Sequence, residues 1–521
     1  MAENAKLDIQ FSNRFMKNLL ANIVYFILSV IVGFFLVPFY VDYLGAATYA
    51  LIPLATSLTA YLNLAVSCLN IAVSRYLTID IHSGNIEHAN ITFNSAIWGT
   101  LLIVLFLLPI VAVISLASPY IFSAGDTAHW ELISFFALIL TSALITTWSG
   151  NFLTTLTAYN RFDYKNYVNI TYLSVQLLLT LGFLFVFGPS VVYVGLAYFI
   201  ASVVGMILSY YFSRKTASVL KLSPRMTSLK RLKEVGSLAV WEGVNSLSWY
   251  LVAGVALILV NILFGAEAQT RYSFVTTWFS FVMSLAALLI PLFVPMIYNY
   301  YSRKDIDGMV SFSALATKCM GIFFSLPIAL LCVFSPLIMT LWVGAEYADL
   351  APLVWIVISP LMIKVQQSCL TAITTAYCKI HFKALIGVGL GILNIILACT
   401  LPFVFDLGVY GVAIAGAITL LLMTGVVEPV YDAYLVKKSP WVFLKPMVVS
   451  TICFLILSIV GSTLSQIFNV QSIVSVIIIS LIISVIYLTI SIKFLFTSGE
   501  KSVVISCLPG FVKKIIPKWL L

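Results

Sequence analysis

Long apolar runs, separated by short polar turns, alternate along almost the whole chain. Each run reaches the length of about 20 residues that an α-helix needs to cross the hydrocarbon core of a bilayer. Breaking the runs at polar clusters, glycine and proline predicts fourteen helices. Their approximate spans are 15–40, 47–78, 90–116, 130–158, 166–187, 191–213, 235–263, 268–299, 310–333, 347–377, 382–404, 408–436, 442–467 and 472–496. The pattern predicts an all-α polytopic membrane protein.

The composition excludes an ordinary soluble protein. Of the 521 residues, 62% are hydrophobic and 9% are charged, whereas a soluble domain has about 45–50% apolar and about 25% charged residues. The polar start MAENAKLDIQFSNRFMKN precedes the first apolar run, so we expect no cleavable signal peptide.

The basic residues provide an independent test of the helix count. If the amino terminus is cytoplasmic, lysine and arginine should be concentrated at both termini and in every second turn. Of the 28 basic residues, 26 follow this rule, and the exceptions are Arg271 and Lys364. The rule predicts that both termini are cytoplasmic. The net charge of +9 is then a consequence of the basic residues that fix the membrane topology. We therefore expect no nucleic-acid partner.

Several short phrases occur twice along the chain, in the same order. The pairs are TAYNRFDYK (157–165) with TAYCKIHFK (375–383), YLGAATY (43–49) with LFGAEAQ (263–269), SPYI (118–121) with SPLI (335–338), and VYVGLA (192–197) with VYGVAI (409–414). Each pair is separated by about 217–220 positions, which indicates an internal duplication. Since six helices separate the copies, both copies have the same orientation in the membrane, which is a parallel repeat.

The duplication predicts two six-helix lobes around a central cavity, with two helices added after them. The predicted parts are an amino-terminal lobe (1–217), a basic cytoplasmic linker (218–234), a carboxy-terminal lobe (235–440), helices 13 and 14 (441–497) and an amphipathic cytoplasmic tail (498–521). Two similar lobes of this kind suggest a transporter that opens alternately to the two sides. We expect the basic linker and tail to contact anionic membrane lipids.

Polar residues at helical spacing are the candidates for lining that cavity. The predicted stripes are Asn63, Ser67, Asn70 and Ser74 on helix 2, Glu242, Asn245, Ser246 and Trp249 on helix 7, and Lys364, Gln367, Ser368, Thr371 and Thr375 on helix 10. Hydrogen bonding between neighbouring helices is the alternative interpretation, and for serine and threonine alone it is favoured.

Two charged residues inside the apolar runs shift this balance. Lys364 falls near the middle of helix 10, and Glu242 lies about two turns inside helix 7. A charge at the bilayer centre costs about 2.5–3.5 kcal/mol on the mildest scale, so neither residue should face lipid. They either form a structural ion pair within the second lobe or act in transport. In the second case Lys364 would contact a phosphate and Glu242 would couple transport to a cation or proton.

Four further charged residues are weaker candidates. Arg271 lies at the outer end of helix 8, as an outer gate contact or an interfacial anchor, and Arg75 ends helix 2 at the cytoplasmic boundary, where a topological role is favoured. Glu428 and Asp432 occupy the last two turns of helix 12 and are further coupling candidates. We expect these two carboxylates to lie near water on the cytoplasmic side.

The sequence gives no sign of catalysis. None of the four histidines and eight cysteines is spaced for a metal site, and no P-loop, GxSxG or HExxH motif is present. The turns predicted to face outwards are too short for the catalytic loops of a membrane glycan polymerase or ligase. We therefore expect a protein that is not an enzyme, without metal or cofactor, apart from a coupling H⁺ or Na⁺.

The chain resembles the multidrug/oligosaccharidyl-lipid/polysaccharide (MOP) superfamily, and within it the polysaccharide flippases of the Wzx type. The opening NRFMKNLLANIVYFILSVIVGFFLVPFYVDYLGAATYALIPLATSL is similar to the first two helices of that family, with Pro38 ending helix 1 and the loop LG-x-x-x-YA-L following it. The duplicated TAY-x-[RK] turn and the two additional carboxy-terminal helices also match. Drug antiporters of the superfamily usually have twelve helices, so fourteen favour the branch that handles lipid-linked sugars.

The resemblance implies a function in surface polysaccharide biosynthesis, such as O-antigen of lipopolysaccharide or capsule. The substrate would be a polyprenyl-pyrophosphate-linked oligosaccharide, moved from the cytoplasmic to the outer leaflet of the bacterial inner membrane. Lys364 and Arg75 would serve the pyrophosphate, and Asn63, Asn70, Asn245, Trp249, Gln367 and Arg271 would complete the substrate contacts. Polysaccharide polymerase and assembly proteins would be partners. The alternative is a cation-coupled exporter of drugs or small organic cations from the same superfamily.

Overall fold

A computed structural model describes the backbone of residues 2–159, 161–468, 470 and 472–501, and most side chains from residue 21 onwards. Most of the predicted tail at 498–521 lies outside this part of the chain. Every regular element in the described residues is a helix. The α-helices are α1 (Ala2–Leu44), α2 (Ala46–Tyr49), α3 (Leu51–His82), α4 (Ile86–Ile121), α5 (His129–Ala158), α6 (Phe162–Phe187), α7 (Val191–Thr216), α8 (Leu229–Trp249), α9 (Ala256–Leu289), α10 (Val294–Ser302), α11 (Ile306–Val333), α12 (Ser335–Trp342), α13 (Ala351–Ile358), α14 (Leu361–Gln367), α15 (Thr371–Ala376), α16 (Ile380–Val404), α17 (Val409–Leu421), α18 (Glu428–Leu435), α19 (Trp441–Ile467) and α20 (Ile473–Phe494).

The predicted fold class, an all-α polytopic membrane protein, is confirmed. Within the described residues, twelve stretches are helical, long and apolar enough to cross a membrane. One of them, Val240–Ser302, covers both predicted helices 7 and 8, and the break between the two lies at Gly265, whose φ of 87° and ψ of −177° are not helical. Predicted helix 2 is present as α3, which has 32 residues.

Backbone angles support the internal duplication. Glycines with positive φ occur at Gly45 and Gly265, at Gly125 and Gly344, and at Gly188 and Gly408. The pairs are 220, 219 and 220 positions apart, close to the spacing of the repeated phrases. Positive φ is unfavourable for other residues because the Cβ atom collides with the backbone. The two halves of the sequence therefore place the same turn geometry at equivalent positions.

The chain folds into two compact units. The first contains residues 1–273 and 384–403, and the second contains residues 274–383 and 404–521. In the first unit α5 packs against α3, α4 and α7, and in the second α11 packs against α14 and α19. The boundaries of the predicted lobes, at residues 217 and 235, stay a prediction.

The basic linker is held against helix α4 by side chains that bind its backbone. Asn90 donates to the carbonyl of Val219 at 3.2 Å and accepts from the backbone N–H of Lys221 at 2.6 Å. Asn94 repeats this pattern, donating to the Lys221 carbonyl and accepting from the Ser223 N–H, both at 2.7 Å. Since the backbone of residues 219–223 is hydrogen-bonded to α4, the predicted contact with anionic lipids concerns the exposed basic side chains of the linker.

Candidate functional site

The helix that carries Lys364 is interrupted twice. Predicted helix 10 consists of α13, α14 and α15 in sequence, and the first interruption falls at Ser359 and Pro360. Proline has no backbone N–H and collides with the preceding turn, which accounts for this first interruption. Lys364 lies on the short segment between the two interruptions and is partly buried.

The Lys364 side chain is held by a neighbouring amide. Its Nζ donates to Oε1 of Gln367 at 3.3 Å, and Gln367 Nε2 lies 3.5 Å from Oγ1 of Thr371. Gln367 is fully buried. Two of the residues predicted to contact the substrate, Lys364 and Gln367, are therefore joined by a hydrogen bond between their side chains.

A second group of charges lies deeper in the same unit, and we call Lys383, Glu428 and Asp432 the charged cluster. Lys383 Nζ lies 3.7 Å from Oε1 of Glu428 and 3.5 Å from Oδ2 of Asp432. The exposed fractions of the three residues are 3%, 4% and 0%. Asp432 Oδ1 also accepts a hydrogen bond from the Thr374 hydroxyl. Lys383 thus balances the charge of one of two carboxylates, and all three side chains are buried.

The charged cluster lies beside Lys364. The segment Leu422–Val427 is a π-helix, and such a local widening is frequent at functional sites. Within it, a Cβ on Gly425 would lie 3.4 Å from Cγ2 of Ile363, the residue before Lys364. Lys364 interacts electrostatically with both Glu428 and Lys383. The four charges therefore sum to zero when all of them are ionised.

One sequence-based expectation is wrong here. Glu428 and Asp432 were expected near water, yet both are buried, because α15, α16 and α19 cover this end of the helix. Lys383 is one of the 26 basic residues that follow the positive-inside rule, and that rule gives no indication that its side chain is buried between two carboxylates. The sequence contains one signal for the cluster, since Glu428 and Asp432 are one helical turn apart and share a face.

The polar stripe of α3 binds a neighbouring helix in the first unit. Thr147 donates its hydroxyl hydrogen to Oδ1 of Asn63, and a Cβ on Gly150 would lie 2.7 Å from the Asn70 amide nitrogen. These contacts with α5 support the helix-packing interpretation of the stripe. Arg75, at the end of the same stripe, is exposed.

The remaining candidates lie on α8 and α9. Glu242, Asn245 and Trp249 are partly buried and share one face of α8, at intervals of three and four residues. Arg271 is partly buried on α9. Glu242 belongs to the first unit and Lys364 to the second. The roles predicted for these residues stay predictions.

Next to Arg271 is a buried polar network that the sequence did not reveal. Asn261 donates to Gln269 Oε1 at 2.8 Å and exchanges hydrogen bonds of 3.0 and 3.1 Å with the backbone of Ser123. Gln269 donates to the carbonyl of Ala50 at 2.7 Å, and Thr270 donates to that of Ala46 at 2.6 Å. We call Asn261, Gln269 and Thr270 the turn network, because they join α9 to two turns that are predicted to lie outside.

Solved structures share this arrangement of helices. An inward-facing multidrug resistance MATE family transporter of the MOP superfamily matches with a TM-score of 0.64, covering 80% of this chain and 96% of that one, at 16% identity. The chain has the fold of the MOP-superfamily transporters. The outward-facing conformation of a transporter with the same description matches this MOP fold with a TM-score of 0.59, at 16% identity, covering 82% of this chain and 96% of that one.

Two further comparisons give one more solved structure and one relative in sequence. A MOP superfamily transporter from Pyrococcus furiosus, described as having a binding pocket of reverse polarity that suggests a different function, matches with a TM-score of 0.56 at 15% identity, covering 85% of this chain and 96% of that one. The protein EpsK of Bacillus subtilis, described as an uncharacterized membrane protein, is 27% identical over 440 residues, which is 84% of this chain and 86% of EpsK. No profile of a known protein family matches the chain.

Proposed function

We propose that the chain is a flippase that moves polyprenyl-pyrophosphate-linked oligosaccharides across the bacterial inner membrane by alternating access, for surface polysaccharide biosynthesis. The MOP fold supports membrane export, and the finer assignment rests on Lys364. A charged group inside an apolar span is costly and is therefore a candidate for a functional site, and a lysine ammonium is a common partner of phosphate groups. Gln367 keeps the ammonium oriented in the absence of substrate.

The polar side chains of α8 suit the other part of this substrate. Asn245 and Trp249 offer an amide and an aromatic face on one side of the helix, the groups that bind sugar hydroxyls and sugar rings. The prenyl chain, which is as apolar as lipid, requires no polar partner. A substrate with one anionic, one sugar and one apolar part thus agrees with the distribution of polar residues.

The second candidate function is export of small organic cations. The buried carboxylates Glu428 and Asp432 favour it, since a cationic drug needs an anionic partner. Both carboxylates share the ammonium of Lys383, which reduces their attraction for a second cation. The solved MOP transporter described as having a binding pocket of reverse polarity that suggests a different function supports the view that this fold accommodates pockets of different polarity.

Loss of the gene in its native host, followed by complementation, distinguishes the two functions. We expect the deletion strain to lose surface polysaccharide and to accumulate the undecaprenyl-pyrophosphate-linked repeat unit in the cytoplasmic leaflet. The wild-type gene should restore the glycan, whereas Lys364→Gln should not, although the protein reaches the membrane. Normal glycan in the deletion strain, with increased sensitivity to organic cations, would refute the flippase and support the exporter.

Lys379→Gln is the matched control for Lys364→Gln. Lys379 is an exposed basic residue in the turn after α15, so its loss removes the same charge without affecting the polar chain of Gln367. We expect this variant to restore the glycan fully. Equal failure of both variants would mean that net charge, and not a phosphate contact, limits activity.

A further inference from the structure

The lysine of the charged cluster has a counterpart in the first unit. Lys165 and Lys383 end the repeated phrases TAYNRFDYK and TAYCKIHFK, 218 positions apart. Each is the fourth residue of its helix, α6 for Lys165 and α16 for Lys383. The internal duplication therefore places Lys165 at the position that Lys383 occupies in the second unit.

The helix that carries the two carboxylates of the cluster also has a counterpart, α7. The residues that cap α7 and α17 at their amino-terminal ends, Ser190 and Gly408, are 218 positions apart. The π-helix Leu422–Val427 then adds one residue to the second of these helices, because a π-helical turn contains one residue more than an α-helical turn. Residues that follow the π-helix therefore correspond to residues 219 positions earlier in the chain.

Both carboxylates of the cluster correspond to serines in the first unit. At a separation of 219 positions, Glu428 corresponds to Ser209 and Asp432 corresponds to Ser213. The two serines are 1% and 2% exposed, so they are buried as deeply as the acids that they replace. The first unit therefore repeats the positions of the cluster without its negative charge.

A pair of hydrogen bonds supports this correspondence. The hydroxyls of Thr155 and Ser213 lie 2.7 Å apart, and in the second unit the hydroxyl of Thr374 donates to Asp432. The partners in both bonds are separated by 58 positions. Each bond joins the helix before the repeated turn to the same place on the capped helix, which indicates that the two sites have the same construction.

Lys165 is partly buried, and no charged group of the described residues interacts with its ammonium. Asp163, the nearest acid in the sequence, is held by Arg161 through two hydrogen bonds of 2.9 and 3.0 Å. The side chains of all acidic residues except Glu3 and Asp8 are described, and none of those described forms an ion pair with Lys165. A desolvated ammonium without an anion is costly, so a bound anion would stabilise it.

We propose that Lys165 binds a phosphate group at the predicted cytoplasmic end of the first unit, where the second unit has its two carboxylates. A lysine ammonium is a compact point charge that suits phosphate, and phosphate headgroups lie at the ends of membrane-spanning helices. The inference goes beyond the proposed function, because two lipids carry such a group. They are an anionic membrane lipid and the pyrophosphate-linked substrate.

Binding to the purified full-length protein in detergent tests the site and identifies the lipid. The probes are phosphatidylglycerol and undecaprenyl pyrophosphate, and their controls without phosphate are diacylglycerol and undecaprenol. We expect Lys165→Gln to weaken binding of the lipid that occupies the site by about tenfold or more, the loss of one charged hydrogen bond. Binding of the controls should not change.

Two variants exclude trivial causes of that loss. Lys165→Arg keeps the positive charge and should keep most of the affinity. Lys215→Gln is the matched control, because Lys215 is an exposed lysine in the last turn of α7 in the same unit. We expect it to bind both lipids like the wild type. A loss of equal size in Lys215→Gln would mean that the surface charge alone attracts the lipid, and it would overturn the site.

The correspondence between the two units permits a second test, in which the missing acid is introduced. Ser213→Asp places a carboxylate at the position of Asp432, so it should pair with Lys165 and abolish phosphate binding although the lysine is still present. Ser213→Asn has the same shape without the charge and should bind like the wild type. Without its lysine the new aspartate has no partner. The melting temperature of the double variant Ser213→Asp with Lys165→Gln should therefore fall by more than the sum of the two single changes.

The outcomes identify the source of the phosphate or overturn the site. Dependence on Lys165 for phosphatidylglycerol alone would identify a membrane lipid, and dependence for undecaprenyl pyrophosphate would place the site on the path of the substrate. Equal affinities of wild type and Lys165→Gln for both lipids would overturn the proposal. If Lys364→Gln weakens binding of the pyrophosphate lipid in the same experiment, the flippase assignment stands in either case. Retained binding in folded Ser213→Asp would show that Lys165 does not occupy the position of Lys383, and would also overturn the site.

Discussion

Replacing Asn261 with leucine should loosen the turn network and expose the residues beneath it. Asn261 and Gln269 are 1% and 0% exposed, and leucine has the same branched heavy-atom skeleton as asparagine but neither donates nor accepts a hydrogen bond. The substitution leaves Oε1 of Gln269 without its donor, whereas the backbone of Ser123, at an exposed residue, can bind water instead.

The expected magnitude follows from that one unsatisfied group. A buried acceptor without a partner costs about 1–3 kcal/mol. If the network is present only in the conformation described here, this cost shifts the conformational equilibrium by roughly 5–150-fold. The shift is towards the state in which α9 separates from the turns at Ala46–Ala50 and Ser123.

Ala50 provides the assay, since it is fully buried and its carbonyl accepts from Gln269. A single cysteine at this position, in a chain without its eight native cysteines, should react slowly with a membrane-impermeant maleimide added to intact cells. With Asn261→Leu the labelling rate should rise by the factor given above. Asn394→Leu is the matched control, because Asn394 is also a buried asparagine that donates to backbone carbonyls, at Leu251 and Val252, but is not part of the network.

A double substitution tests the reasoning further. In Asn261→Leu with Gln269→Leu the unsatisfied acceptor is removed together with its donor, so the combined effect should be smaller than the sum of the two single effects. An unchanged labelling rate in folded Asn261→Leu, or an equal increase in Asn394→Leu, would refute the assignment of the network to one conformation.

Three further predictions concern other parts of the chain. Lys383→Ala removes the ammonium that lies between two buried carboxylates and should destabilise the protein by about 3–5 kcal/mol, whereas Lys379→Ala in the same turn should not. The melting temperatures of the two variants are compared by thermal unfolding in detergent, followed by tryptophan fluorescence. Equal melting temperatures would contradict the buried pairing. Asn94→Ala removes both hydrogen bonds to the linker backbone at Lys221 and Ser223, so proteolysis after Lys221 and Arg225 should be faster than in the wild type. The control is Asn85→Ala, because the Asn85 side chain caps its own helix and does not bind the linker. A cleavage rate that Asn94→Ala leaves unchanged would show that other contacts hold the linker. Burial raises the pKa of Glu500, but hydrogen bonds from the Thr497 backbone and from Lys318 outweigh it and lower the pKa of this carboxyl below its usual range. The ionised carboxylate therefore stabilises the fold above its unfolded pKa of about 4.3, and this contribution disappears as the pH falls through the lower, folded pKa. The difference in melting temperature between wild type and Glu500→Gln should vanish in acid, and a difference that stays constant with pH would disprove the interaction.

Membrane insertion, the approximate helix positions and the duplication could be read from the sequence. They depend on local features, namely apolar length, the distribution of basic residues and short repeated phrases, and none of these needs a tertiary contact. The interruption of the helix at Pro360 follows from the missing N–H of proline. Lys364 and Gln367 could also be placed on one polar face, because their separation of three residues is nearly one helical turn.

The partners of the charged and polar side chains were decided by the tertiary structure alone. Lys383 fits the positive-inside rule as well as any cytoplasmic lysine, and only the packing of α15, α16 and α18 shows that it is buried between Glu428 and Asp432. Asn261 and Gln269 are ordinary polar residues in sequence, and their bonds to Ser123 and Ala50 join segments that are distant along the chain. Hydropathy determines which segments enter the membrane, since every residue of a segment contributes to that free energy. A buried hydrogen bond or ion pair depends on two side chains meeting within a few ångströms, so it can be known only from the folded protein.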